Sequence, residues 1–166
     1  MDHDTAFWKL DKLIKSNEDK SAVERFITEK MLYLKDIYIE LAAETAYPYV
    51  SQIGFANFCI KCNMIDKNLK LGDIDRFYLR SLTNDDDPKQ KTSVMCRFMF
   101  LEALVRVAEC KFKNSGQAKS FSEALDKLIL ENIEPYWPSK GWMGFRLDWL
   151  WCVEVNDTFY ANFTGM

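Results

Sequence analysis

The sequence predicts an all-α fold: two helix–loop–helix units in mid-chain, a long helix before them and a Trp-rich helix after them. Three observations carry this. Apolar residues recur every three or four positions over 22–45 and 97–112. Ser-x-x-Glu boxes, which open helices, stand at Ser21–Glu24 and Ser120–Glu123. The one alternating stretch, Phe145, Leu147, Trp149, Trp151, Val153 and Val155, has no second strand to pair with, so it too is read as a helix.

The elements follow in order. Phe7, Leu10, Leu13 and Ile14 suggest a short amphipathic helix over 5–15. From the Ser21 box, Val23, Ile27, Met31, Leu34, Tyr38 and Leu41 mark one long helix over 22–45, ended before Pro48. Ser51 to Cys62 is the next helix, with Ile53 and Phe58 on its apolar side and Gly54 as a weak spot. Gly72 marks a turn before a short helix over 74–82. Residues 84–93, opening with Asn84-Asp85-Asp86-Asp87-Pro88, read as a polar loop. Phe98, Leu101, Leu104, Val105, Ala108 and Phe112 make a strongly periodic helix that Asn114-Ser115-Gly116 stops. The Ser120 box opens another, carrying Phe121, Leu125, Leu128 and Ile133 up to Pro135. After a loop over 138–144, a last helix covers 145–163.

Composition narrows the function classes. The 166 residues suit a single domain, and 48% apolar and 14% aromatic content provide for a packed core. A net charge of −3, with no basic stripe, argues against direct nucleic-acid binding. No apolar run approaches the roughly 18 residues that span a bilayer, and the N-terminus has no signal-peptide pattern, so a cytoplasmic location and no membrane partner are expected. Cys59, Cys62, Cys96, Cys110 and Cys152 are odd in number and sit in apolar patterns; they read as reduced, buried thiols. The final TFYANFTGM is compatible with a segment cut from a longer protein.

The mid-chain loops can be tested as calcium sites. An EF-hand loop supplies oxygens at positions 1, 3, 5, 9 and 12, with glycine at 6. Gly72 at position 6 leaves Asp75 at 9 but puts Lys67, Leu69 and Leu71 at 1, 3 and 5, and Tyr78 at 12. Starting at Asp66 gives Asp66, Asn68 and Lys70, with Phe77 at 12. In the second loop, Phe98 at position 8 keeps Glu102 at 12 and loses the rest. The loops therefore read as degenerate, with Ile74 and Phe98 as the apolar position-8 residues that join them.

Phe55, Phe58, Cys59, Cys62, Ile65, Asp75 and Phe77, followed by Phe100, Ala103, Leu104, Ala108 and Phe112, resemble the tubulin polymerization-promoting protein family. The stretch RFMFLEALVRVAECKF is also similar to EF-hand-like modules of ciliary and flagellar proteins. The resemblance implies a degenerate EF-hand-like fold and association with microtubules. The expected organisation is one helical domain over 1–166: N-terminal helices 5–46, an EF-hand-like pair 51–112 and C-terminal helices 117–163.

Other constellations add little chemistry. Cys59-Ile60-Lys61-Cys62 lacks a second ligand pair for zinc, and His3 is the only histidine. No Ser–His or Cys–His arrangement and no nucleotide-binding glycine pattern occurs, so no enzyme, cofactor, metal or small-molecule substrate is expected. The tryptophan-rich segment offers Trp137, Trp142, Phe145 and Trp149 as protein-binding residues, since such rings dominate interfaces. The expected function is a calcium-independent scaffold or adaptor domain of a cytoskeletal or ciliary protein. Its partner would be tubulin, an axonemal protein or a helix docked in a groove. The alternatives are an atypical calcium sensor using Asp66, Asn68, Asp73, Asp75 or Glu102, and an accessory subunit of a nucleic-acid-processing complex.

Overall fold

The computed structural model describes residues 10, 13–82, 94–138 and 152–163. The expected loop over 84–93, most of the expected helix over 5–15, His3, Trp142, Phe145, Trp149 and Trp151 lie outside them. Seven α-helices occur among the described residues: α1 Asn17–Glu29, α2 Met31–Thr45, α3 Gln52–Lys61, α4 Leu71–Leu82, α5 Arg97–Ala108, α6 Phe121–Lys127 and α7 Val153–Phe163. Two of them run on into π turns, α5 through Glu109–Lys113 and α6 through Leu128–Ile133. The only strand-like pairings among the described residues are two isolated antiparallel bridges, Ala46 with Tyr49 and Val50 with Met95. The fold is all-α, as the periodicity predicts.

The long helix expected over 22–45 is two helices. Ser16, not Ser21, is the first cap; its Oγ accepts from the Asp19 N–H at 3.3 Å. The first turn, Asn17 to Lys20, is wholly polar, so periodicity could not show it. The break falls at Lys30, whose φ of −93° and ψ of 5° leave the helical region. Lys30 stays hydrogen-bonded on both sides, its N–H to Phe26 O and its carbonyl to Leu34 N–H, so the apolar stripe carries across the break.

The central correction concerns which helices form each hand. Val50 and Met95 exchange two backbone hydrogen bonds, of 2.9 and 3.0 Å. In each case the bridging residue is followed by one N-cap residue, Ser51 or Cys96, and then by a helix, α3 or α5. The first hand is thus α2, loop, α3, and the second is α4, loop, α5. The pair covers 31–108 rather than 51–112. The segment from Phe55 to Ser81 is not a hand: it joins the exiting helix of one to the entering helix of the next. Ile74 lies buried inside α4, and Phe98 lies in the first turn of α5, so neither is a bridging residue. Gly72 is in the first turn of α4, whose start is fixed by Asp73 Oδ2 accepting from the Lys70 N–H.

The four helices pack in the order this pairing requires, α2 on α3, α3 on α4, α4 on α5, and α2 on α5. Phe55 and Phe100, at the same step past their bridging residues, meet edge-on with ring centroids 6.1 Å apart. Each also packs on a tyrosine of the other hand, Phe55 on Tyr78 and Phe100 on Tyr38. The remaining helices close the core. α6 packs on α5 and on α1, with Phe121, Leu125, Leu128, Ile129 and Ile133 buried. Ser120 Oγ caps α6 by accepting from Glu123 N–H, while Glu123 Oε2 reaches back to the Lys119 N–H at 2.8 Å. Gly116, at φ +77°, supplies the left-handed turn between the π turn that ends α5 and the start of α6.

Candidate functional site

The junction of the two loops is where an EF-hand pair does its chemistry. Here it is fastened by tyrosines. Tyr38 of α2 donates its hydroxyl to Pro48 O at 2.7 Å and lies 3.4 Å from Met95 O. Tyr78 of α4 donates to Val50 O at 3.0 Å. Each entering helix therefore holds the bridging residue of the opposite hand. Burial pushes the Tyr78 phenol above its ordinary range, although its hydrogen bonding to Met95 works the other way.

The bridge also sets the loop numbering. Val50 at position 8 places Ala43, Thr45 and Tyr47 at positions 1, 3 and 5, Ser51 at 9 and Gly54 at 12. Met95 at position 8 places Cys96 at 9 and Met99 at 12, and positions 1, 3 and 5 of this loop lie outside the described residues. Among the described residues no carboxylate stands at a ligand position in either hand, and calcium sites are built on carboxylates. Thr45 and Ser51 are engaged in local bonds: Thr45 Oγ1 donates to Leu41 O at 2.9 Å, and Ser51 Oγ accepts from the Gly54 N–H at 3.1 Å. At position 12, where a calcium loop has its bidentate glutamate, Gly54 sits so close to Thr45 that an added Cβ would lie 2.4 Å from Cγ2.

The carboxylates named from sequence are elsewhere and are held by other groups. Asp66 pairs with Lys111 at 2.7 Å. Burial alone would raise its carboxyl, but the bonds from Lys111, Asn68 N–H and Leu69 N–H outweigh it and hold it below the usual carboxylate range. Asp73 is held low chiefly by the Lys70 N–H, with Arg76 bonded beside it. Asp75 accepts from Gln52 Nε2 at 2.9 Å. Glu102, only 6% exposed, takes both Nε and a terminal nitrogen of Arg106, at 3.2 and 2.6 Å. Asn68 gives its N–H to Asp66 and its carbonyl to Cys110. Among the described residues no three His, Cys, Asp or Glu side chains gather as a metal site.

The chain matches the family model described as tubulin polyglutamylase TTLL11, EF-hand, over residues 16–140. The chain belongs to this EF-hand family. The match starts at Ser16, the α1 cap, and ends just after Trp137, so it takes in α1, both hands and α6. It names an EF-hand of a tubulin-related protein, the class of module that the phenylalanine and cysteine pattern resembles. No curated protein and no solved structure matches the chain.

Of the proposed protein-binding residues, Trp137 is described and is a core residue, 6% exposed. Its ring lies edge-on to Phe58 at 5.8 Å, the Lys61 ammonium sits 4.0 Å over its centroid, and its carbonyl accepts from the Tyr33 hydroxyl. A ring so enclosed helps to close the core. Trp142, Phe145 and Trp149 lie outside the described residues. Cys59 and Cys62 are buried thiols as expected, whereas Cys96, Cys110 and Cys152 are partly exposed. The first loop exposes Tyr47 and Ile53, each 74% exposed, and Tyr49 among its polar residues. Sequence reasoning missed these because it placed the first loop some twenty residues too late.

Proposed function

We propose that the chain is a non-catalytic, protein-binding EF-hand module that acts without calcium on a cytoskeletal partner, tubulin or an axonemal protein, in the cytoplasm or cilium. The observation that carries this reading is the Val50–Met95 bridge. It sets the loop numbering, and among the described residues neither loop has a carboxylate at a ligand position. The atypical-sensor reading is disfavoured because its five candidate residues are scattered and already bonded within the protein.

The apolar face of the pair supports the same conclusion. A switching EF-hand pair opens a groove for a target helix. Here that space is filled from within: Phe26 and Ile27 of α1, Leu34 of α2, Leu101 and Leu104 of α5, and Leu125, Leu128, Ile129 and Ile133 of α6 and its π turn converge. The void left between them is about 10 Å³, at most one water. Docking of a partner helix in the groove is therefore replaced by contact through an outer surface, and the exposed Tyr47, Tyr49 and Ile53 lie where a calcium loop would be. The cytoskeletal element rests on the family, which is named for a tubulin polyglutamylase. Co-sedimentation of the purified chain with microtubules, in calcium and in chelator, tests it. Equal pelleting in both is expected. Pelleting that needs calcium would refute the calcium-independent reading, and no pelleting in either would refute the tubulin partner.

A further inference from the structure

We infer that the ammonium of Lys111 is the resident cation of this EF-hand pair, seated between the hands instead of inside a loop. Lys111 is 7% exposed, although lysine is almost never so buried without a partner. Its Nζ donates to Met64 O at 2.8 Å and to Asp66 Oδ2 at 2.7 Å. Both acceptors belong to residues 62–70, the connection from the first hand to the second. The other Asp66 oxygen accepts from Asn68 N–H at 2.7 Å and Leu69 N–H at 3.0 Å, and the Asp66 N–H returns to Leu69 O. The connection thus folds into a tight oxygen-lined turn around one positive charge.

The π turn is what brings that charge inward. It covers Glu109–Lys113 at the end of α5, and wider winding of this kind is a recurrent device at functional positions in helices. Asp66 and Lys111 also lie the same number of residues beyond their bridging residues, Val50 and Met95, so the pair joins equivalent points of the two hands. Beside it, the Cys110 thiol lies 3.5 Å from Asn68 O. α3, α4 and α5 are therefore tied at a single point. Any movement of one hand relative to the other must break charge-assisted bonds from an already desolvated ammonium, the costly half of a buried ion pair. A calcium switch gains and loses its cation; this pair carries its own, covalently attached, and is held in one arrangement.

Chemical rescue tests this. Lys111→Met keeps the apolar stem and removes the charge, so it separates packing from electrostatics. The folded-to-unfolded ratio is expected to fall about tenfold or more, with faster amide exchange over residues 64–70. Lys111→Ala vacates the seat, and methylammonium should restore part of its stability, whereas tetramethylammonium at matched ionic strength, which has no N–H to donate, should not. A Lys111→Met protein with wild-type stability and linker exchange would overturn the inference, as would equal rescue of Lys111→Ala by both cations. Should Lys111→Ala fail to fold, Asp66→Asn provides the second arm: its linker exchange must also rise, and unchanged exchange counts against the tie.

Discussion

Gly54→Ala should destabilise the protein, although alanine is the better helix former. The perturbation is one methyl group at position 12 of the first loop. An added Cβ would lie 2.4 Å from Thr45 Cγ2, and 3.2 Å from both Thr45 Cβ and Ser51 Oγ. Thr45 cannot turn away without loss, because its Oγ1 donates to Leu41 O and lies 3.5 Å from the Ser51 nitrogen. Ser51 cannot move without uncapping α3. Overpacking of this kind costs about 1–3 kcal/mol, and the higher helix propensity of alanine returns about 1 kcal/mol. The net loss is about 1 kcal/mol, which lowers Tm by roughly 2–4 °C for a chain of this length. The partner variant is Thr45→Ser, which deletes the clashing methyl and keeps the hydroxyl. In a double-mutant cycle read by thermal and urea unfolding, Gly54→Ala should become neutral or stabilising once Thr45 is serine. Strict additivity, or a Gly54→Ala protein about 1 kcal/mol more stable on its own, would refute the packing account. The same contact bars a glutamate at this position, so the loop cannot regain its principal calcium ligand without moving α2 from α3.

Two further outcomes follow from the core. Trp137→Ala should cost about 3–5 kcal/mol in urea unfolding, because the ring is enclosed by Phe58 and Lys61; a loss below about 1 kcal/mol would show that Trp137 is not a core residue. The thiols should show an alkaline limit. Burial pushes the Cys62 thiol up to about 12, although the charge of neighbouring Lys61 pulls the other way, and pushes Cys59 well above its ordinary value. Their folded values lie above the unfolded ones, so this contribution to stability is complete below pH 9 and drains away as pH rises towards 12. Unfolding free energy should therefore fall over that range, and in native protein at pH 8 both thiols should resist iodoacetamide while Cys110, half-buried, reacts first among the three; rapid native labelling of Cys59 or Cys62 would contradict their burial.

Helices were legible wherever an apolar stripe or a cap marked them. Ser120 caps α6 as its box predicts, α3 starts at the expected Ser51, and of the residues expected inward on α5 all but the half-buried Phe98 are buried. The first turn of α1 was not legible because it is polar, and the break at Lys30 left no trace because hydrogen bonds continue across it. The pairing of helices into hands was lost for a different reason. Calcium ligands are what make an EF-hand loop recognisable in a sequence, and Ala43 to Gly54 has none. Remnant-like residues elsewhere, Gly72, Asp75 and Glu102, drew the numbering to the wrong places. Only the backbone exchange between Val50 and Met95 identifies the loops. The Lys111–Asp66 pair was equally hidden, since the two residues are 45 apart in sequence and meet through a π turn that no periodicity announces.

Calorimetric titration of the intact chain with calcium, from a chelator-stripped start, tests the central claim most directly. Loops whose described ligand positions hold no carboxylate and a pair tied by its own lysine predict no saturable heat in the micromolar range of EF-hand sensors. A saturating isotherm at micromolar calcium would contradict both the loop numbering and the calcium-independent function.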